Sequence, residues 1–296
     1  MSWLKRKKRI ATDPKNSQFQ DVWFRLSKNK TAMIGLAVIC VIILLALFAD
    51  VLADYQTKVL DQYPLERLQG PSVKHILGTD AFGRDMFARI IHGARYSLAF
   101  ALACTASGIV GGVLVGATAA YMGGRVDNAI MRVLDAFMCL PGMLLSLSLV
   151  SALGMGLKSI IIALSISMVP GFARVVRSVM LTVVRQEYIE AARACGIGHF
   201  RIILGHVIPN AIGIIIVNAT MNMAGLIMSA AGLSFIGMGI QPPSPEWGAM
   251  LSEGQSHMRT NMHMMLVPGL AIMITALSFN LLGDGLSEAL DPRMKE

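Results

Sequence analysis

EYIEAARACGIGHFRIILGHVIPN, residues 187–210, decides how the rest of the chain is read. It is a polar, charged stretch set between long apolar runs. Helix-favouring residues run from Val183 to Cys195, and Glu187, Glu190, Ala191 and Ala194 fall on one face at three- and four-residue spacing. Gly196 is placed to end that helix, because glycine tolerates the left-handed conformation of a helix C-terminus. A second short helix is expected over about His199–Val207, with Pro209 stopping it and turning the chain back. The unit would project as a compact knob. Its alanines let another backbone come close, and Glu190 offers a carboxylate to a cationic partner. The competing reading is an amphipathic loop lying on a bilayer surface.

The flanking sequence is lipid-soluble in character. Hydrophobic residues make up 54% of the chain and charged residues 15%, where soluble domains average roughly 25% charged. Six apolar segments are expected to span a membrane, at about 31–53, 97–121, 129–153, 159–173, 211–238 and 264–286. The fold class is therefore an all-α polytopic membrane protein with six transmembrane helices. Gly108, Gly112, Gly116 and Ala120 form a small-residue stripe on the second segment, a device for close helix packing. The fourth segment is short, is interrupted by Pro170, and is expected to continue as helix past Arg174. Cys40, Cys104, Cys139 and Cys195 show no paired spacing and read as reduced packing residues.

Net charge is +8, carried at the ends of the apolar runs rather than on a soluble domain, so nucleic acid is not an expected partner. The run KRKKR at 5–9 reads as a retention signal that also touches anionic membrane lipid, ahead of an uncleaved anchor. With the N-terminus inside, the inside segments (1–30, 122–128, 174–209, 287–296) hold 17 Lys or Arg and the outside segments 8. That asymmetry predicts that both termini and the 174–209 loop are cytoplasmic.

No phosphate-binding GxxxxGK[ST], HExxH or GxSxG motif occurs, so no catalytic residue and no cofactor is assigned to this chain. The charges in or beside the spans, Asp50, Arg132, Asp135 and Asp284, sit near span ends, where snorkelling and pairing account for them. Asn218, Asn222 and Asn280 are candidates to line a path, or to form hydrogen bonds between helices.

The segment EAARACG at 190–196 with IP at 208–209 resembles the EAA loop of binding-protein-dependent ABC importer permeases. Glu190, Ala191, Ala192, Gly196 and Pro209 match in register, Ile208 stands where the family has leucine, and His206 where it has isoleucine. A second stretch, HILGTDAFGRDMFARIIHGARYSL at 75–98, is similar to the signature of the dipeptide, oligopeptide and nickel permeases of the "C" type, with Ala88 in place of serine. It carries Gly78, Thr79, Asp80, Gly83, Arg84, Asp85 and Arg95. Further resemblances are YMGGRVDNAIMRVLD at 121–135, CLPG at 139–142, GLSFIGMGIQPPSPEWGAML at 232–251 and NLLGDGLSEALDP at 280–292.

The resemblance implies the architecture of a type I ABC importer permease in a bacterial cytoplasmic membrane. The apolar runs and the charge asymmetry give a cytoplasmic segment 1–30, an anchor 31–53, an extracytoplasmic loop 54–96, a five-helix core 97–286 that includes the cytoplasmic loop 174–209, and a tail 287–296. The resemblance also implies partners: a paralogous "B"-type permease subunit, two ATPases that bind ATP and Mg, and an extracytoplasmic substrate-binding protein. The EAA loop would receive the ATPase, while 54–96 and QPPSPEW at 241–247 would form docking or gating surface. The expected cargo is short peptides. A nickel or metal-chelate cargo is the alternative, for which His257, Met258 and His263 would be the residues to examine, and a stand-alone ion-coupled carrier is the more distant one.

Overall fold

The computed structural model describes residues 18–290. The basic run 5–9 and the end of the tail, from 291, lie outside the described residues. The elements are α1 (Gln18–Lys28), α2 (Lys30–Leu47), α3 (Ala49–Leu52), α4 (Met86–Met122), α5 (Gly124–Met138), α6 (Gly142–Leu153), α7 (Leu157–Val184), α8 (Glu187–Ala194), α9 (His199–Ile202), α10 (Ile208–Phe235), α11 (Trp247–Gly254) and α12 (His263–Leu290). Among the described residues β structure is limited to one isolated bridge, Thr79 to Asp85. Five helical stretches are long and apolar enough to cross a membrane, or six if the bent pair α5–α6 counts as one.

Helices suit this composition because in hydrocarbon every peptide N–H and C=O needs a partner from the chain itself. Their ends are fixed by specific residues. Asn29 accepts the Ala32 N–H at 3.1 Å to start α2, and Asp85 accepts the Ala88 N–H at 2.9 Å to start α4. Helix α7 is central, with 44% of its most apolar window buried, whereas α2 is peripheral with 22%.

The small-residue stripe packs as expected. A Cβ on Gly108 would strike Met168, one on Gly112 would strike Phe172, and one on Gly116 would strike the Ala173 carbonyl. These three glycines let α4 lie directly on α7, its most extensive packing partner. A cluster around Ile39, Ile227, Trp247, Ile272 and Phe279 joins α2, α10, α11 and α12 to the start of α4. A second, around Val176, Met180, Ile189, Ile202 and Val207, joins α7 to the knob. Among the cysteines only Cys104 is a packing residue; Cys40, Cys139 and Cys195 are free and exposed.

Four expectations are corrected. The third apolar segment is not one straight span: α5 and α6 meet at 86° across Cys139–Pro141. Pro141 cannot donate to a continuing helix and disfavours helical geometry at Leu140. The second span starts earlier than its apolar run, because Asp85 caps at the end of the turn and residues 86–96 join α4, shortening the 54–96 loop. The helix expected from Val183 is broken at Gln186, which is extended (φ −78°, ψ 144°), so α8 is a separate helix. Pro209 does not stop the chain's helix. Residues Ile203–Val207 form a wide π turn in which the Ile208 N–H bonds the Ile203 carbonyl, and α10 runs on through Pro209. The π turn absorbs the proline at the first turn of α10, where a missing N–H matters least.

Replacing Gly116 by Leu should destabilise the protein by about 1–3 kcal/mol through overpacking of the α4–α7 contact. Gly225→Ala, where a Cβ meets nothing within 4 Å, should leave the melting temperature of the detergent-purified protein near the parent's.

Candidate functional site

Three features stand out: the knob at 187–210, a buried charge cluster, and a cleft among α5, α6, α7 and α10. In the knob, α8 ends in a closed motif. The Ile197 N–H bonds the Ala192 carbonyl at 3.1 Å, the Gly196 N–H bonds the Arg193 carbonyl at 2.9 Å, and Gly196 sits at φ +75°. Any residue with a Cβ is strained there, which explains the glycine. Ile189, Ile202 and Val207 are fully buried and anchor the unit to α7. The sequence grouped Ala192 with the partner-facing residues, but it turns into the core. Ile208 is half-buried against the same cluster. The outward face holds Glu187, Glu190, Ala191, Ala194 and Pro209, joined by the exposed Tyr188, Phe200 and Leu204.

The charge cluster forms where the turn 78–85 meets α4 and α11. Gly78 and Gly83 both take positive φ, and a Cβ at Gly83 would overlap the Tyr63 carbonyl. Thr79 Oγ1 accepts the Gln69 N–H at 2.9 Å and donates to the Glu66 carbonyl. Asp80 is fully buried and accepts the backbone N–H groups of Phe82 and Arg84. Its other oxygen receives Arg84 Nε at 2.5 Å and Arg89 Nη1 at 2.7 Å. Arg84 Nη2 and Arg89 Nη1 then donate to Glu253 of α11 at 2.9 and 2.6 Å. Two buried arginines are thereby neutralised by two carboxylates, the condition under which such charges are tolerated. Asp85 also holds His75 at 2.8 Å, and His75 reaches Glu66 at 3.2 Å. Hydrogen bonding from Lys74 holds the Glu66 carboxyl below its ordinary range.

Arg95, from the same stretch, does another job. It donates to the Ala46 and Leu47 carbonyls at the end of α2 and pairs with Asp50 at 2.8 Å. His263 lies 3.1 Å from the Thr79 carbonyl and His257 lies against Ser256, while Met258 is exposed. Among the described residues no three His, Cys, Asp or Glu side chains gather as metal ligands.

The cleft has a volume of about 680 Å³ and includes Pro141, Met143, Ser167, Phe172, Asn218 and Asn222 in its lining. No charged residue lines it. Asn218 and Asn222 bond carbonyls of their own helix, Ile214 at 2.9 Å and Asn218 at 2.7 Å. Among the described residues neither side chain bonds another helix of this chain. Asn280 is exposed on α12 and is not among the lining residues. Arg132 and Asp135 do not pair with each other; Asp135 pairs with Arg174 of α7, and Asp127 with Arg177.

Residues 108–296 match the family described as binding-protein-dependent transport system inner membrane component. The chain belongs to this family. Residues 17–71 match a second description, the N-terminal TM domain of oligopeptide transport permease C. Among curated proteins, the dipeptide transport system permease protein DppC of Alkalihalophilus pseudofirmus is 41% identical over 94% of this chain and 91% of its own length. The glutathione transport system permease protein GsiD of Escherichia coli O157:H7 is 40% identical over 97% and 94%. The di/tripeptide transport system permease protein DppC of Pseudomonas aeruginosa is 36% identical over 96% of both chains. Among solved structures, an inward-facing MetNI methionine ABC transporter chain aligns with a TM-score of 0.57 at 20% identity. It covers 70% of this chain and 98% of that one, a likeness of fold.

In this member of the family, three parts of the sites escaped sequence reasoning. Arg89 matches the family signature within 75–98, but nothing in its spacing marked it as buried beside Asp80. Glu253 is far along the chain from Asp80, and no local pattern links them. Glu246 caps α11 by accepting the Gly248 and Ala249 N–H groups at 2.9 and 2.8 Å, while Trp247 donates to the Ile90 carbonyl at 3.0 Å. Glutamate is not among the residues that usually cap a helix, so no ready sequence signal marked this cap.

Removing Glu253 by substitution to Ala leaves Arg84 and Arg89 short of charge and should cost about 3–5 kcal/mol, read as a lowered unfolding midpoint. Burial pushes the Glu246 carboxyl above its ordinary range, against the two backbone N–H groups that favour its ionised form. The folded state therefore binds this proton more tightly than the unfolded one. The stability that this contributes is present below the ordinary carboxylate range and is lost as pH rises through the folded value. The melting temperature of the parent minus that of Glu246→Gln should accordingly fall as pH is raised from 4 towards neutrality.

Proposed function

We propose that this chain is the "C"-type permease subunit of an ATP-driven importer for short peptides. The observation that carries the reading is near-full-length similarity, at 36–41% identity, to permeases named for dipeptides, di/tripeptides and glutathione. The chain itself is a translocation component and not an enzyme. It works with a paralogous permease subunit, two ATPases and an extracytoplasmic binding protein, and ATP with Mg is bound by the ATPases.

Six spans with both termini in the cytoplasm follow if α5 and α6 together make one crossing. The excess of Lys and Arg, 17 against 8, supports that orientation. The knob then faces the cytoplasm and receives an ATPase. Glu187, Glu190, Ala191 and Ala194 present acid and close backbone on one face, and Phe200 adds an apolar anchor. Gly196 and the buried Ile189 and Ile202 make the knob stiff enough to pass on a displacement.

On the other side of the membrane, the 54–85 loop and the 241–247 segment offer surface to the binding protein. The Asp80–Arg84–Arg89–Glu253 cluster fastens that loop to α11. The cleft with Asn218 and Asn222 is this subunit's half of the path. Its uncharged lining suits cargo whose side chains vary, because no fixed charge selects among them.

The test is uptake of labelled dipeptide, glutathione and nickel by vesicles holding the complete importer. Peptide uptake dependent on ATP and binding protein is expected; nickel uptake without peptide uptake would overturn the cargo assignment. Glu190→Lys and Gly196→Pro should insert normally in the membrane yet lose most transport, and normal uptake by both would remove the coupling role from the knob.

A further inference from the structure

We propose that Tyr121, at the last turn of α4, is the positioning residue through which the knob grips the membrane domain. The proposal rests on the reading that the knob receives an ATPase. The Tyr121 hydroxyl lies 2.6 Å from His199 Nδ1, and the two rings meet edge to face at 5.2 Å. The Arg193 guanidinium covers the Tyr121 ring at 4.6 Å. Arg193 belongs to α8 and His199 to α9, on opposite sides of Gly196. One side chain of α4 therefore holds both halves of the helix–Gly–helix unit.

Apart from the direct run of α9 through the π turn into α10, the other contacts between the knob and the spans are of a different kind. Ile189, Ile202 and Val207 are held by apolar burial, which has no preferred direction. Among the described residues, Tyr121–His199 is the side-chain hydrogen bond that joins 187–207 to a spanning helix remote in sequence; on the adjoining α10, Asn210 bonds the neighbouring His206 carbonyl at 2.6 Å. A directional bond and a cation–π contact fix orientation, where apolar packing alone permits sliding.

What Tyr121 is attached to gives the grip its use. Helix α4 has 37 residues, about 55 Å at 1.5 Å per residue. Gly108, Gly112 and Gly116 seat it on α7. At its far end Arg89 is paired with Glu253 of α11 and Trp247 donates to Ile90. Motion of the knob that reaches Tyr121 is carried by one continuous rod to its contacts with α11 at the other end. In this arrangement Tyr121 sets how much of each ATPase cycle becomes displacement of α4.

The experiment uses the complete importer in proteoliposomes, with Tyr121→Ala and Tyr121→Phe. The readouts are peptide moved per ATP hydrolysed and co-purification of the ATPases. Tyr121→Ala should retain the ATPases and hydrolyse ATP while the ratio falls about fivefold, the scale of one cation–π contact and one hydrogen bond lost together. Tyr121→Phe keeps the ring under Arg193 and should fall only about twofold, so a purely structural loss of assembly is separated from lost coupling. An unchanged ratio in either variant overturns the proposal, as does a fall that tracks only the amount of assembled complex. Cross-linking of Ala194→Cys, in a Cys195→Ser background, to an ATPase reports separately on the underlying reading. A cross-link with an unchanged ratio sinks the role of Tyr121 alone, whereas no cross-link sinks the docking of the knob itself.

Discussion

The contact of α4 with α7 along Gly108, Gly112 and Gly116 is the constraint on which the other features hang. In lipid, apolar side chains gain little by leaving the solvent, so helices associate through close packing rather than through the force that folds soluble cores. Backbone-to-backbone approach is available only where side chains are absent. Three glycines one turn apart provide it, and Met168, Phe172 and the Ala173 carbonyl fill the space. With α4 and α7 fixed, both ends of the molecule are fixed too. Asp85 and Arg89 sit at one end of α4, and Tyr121 sits at the other.

The ends differ in how they are held. At the α4 N-terminus the chain uses charge, with the buried Asp80, Arg84 and Arg89 and the half-buried Glu253 paired in a square. Such pairing contributes little net stability compared with apolar packing, but it penalises any geometry that separates its members. It holds the 78–85 turn in one shape against α11. At the α4 C-terminus the knob is seated mainly by apolar side chains, with a single tyrosine giving direction. Between them the cleft is lined by no charged residue, and its asparagines donate to carbonyls of their own helix.

Much of this was legible in the amino-acid sequence, because the signals were local. Apolar runs of spanning length announced helices, glycines at four-residue spacing announced a close helix contact, and Gly196 announced the end of α8. The motifs at 75–98 and 190–209 were enough to suggest the family. Each depends on residues within a few turns of one another, where periodicity and backbone preference are strong. The failures were also local in origin. Pro209 reads as a stop unless a π turn precedes it, and nothing in ILGHV at 203–207 announces one. Hydropathy summed over 129–153 cannot register the 86° bend at Pro141.

The sequence by itself determined that the chain is helical, crosses a membrane several times and carries a charged knob between spans, since composition and short-range pattern govern those properties. The tertiary structure alone decided which residues meet. It brought Glu253 to Asp80, turned Ala192 inward while leaving Ala191 outward, put Asn218 and Asn222 on a cleft that Asn280 does not line, and set Tyr121 between Arg193 and His199. The physical reason is that contacts between distant segments follow from how whole helices pack, and that packing is a joint property of many side chains that no single stretch encodes.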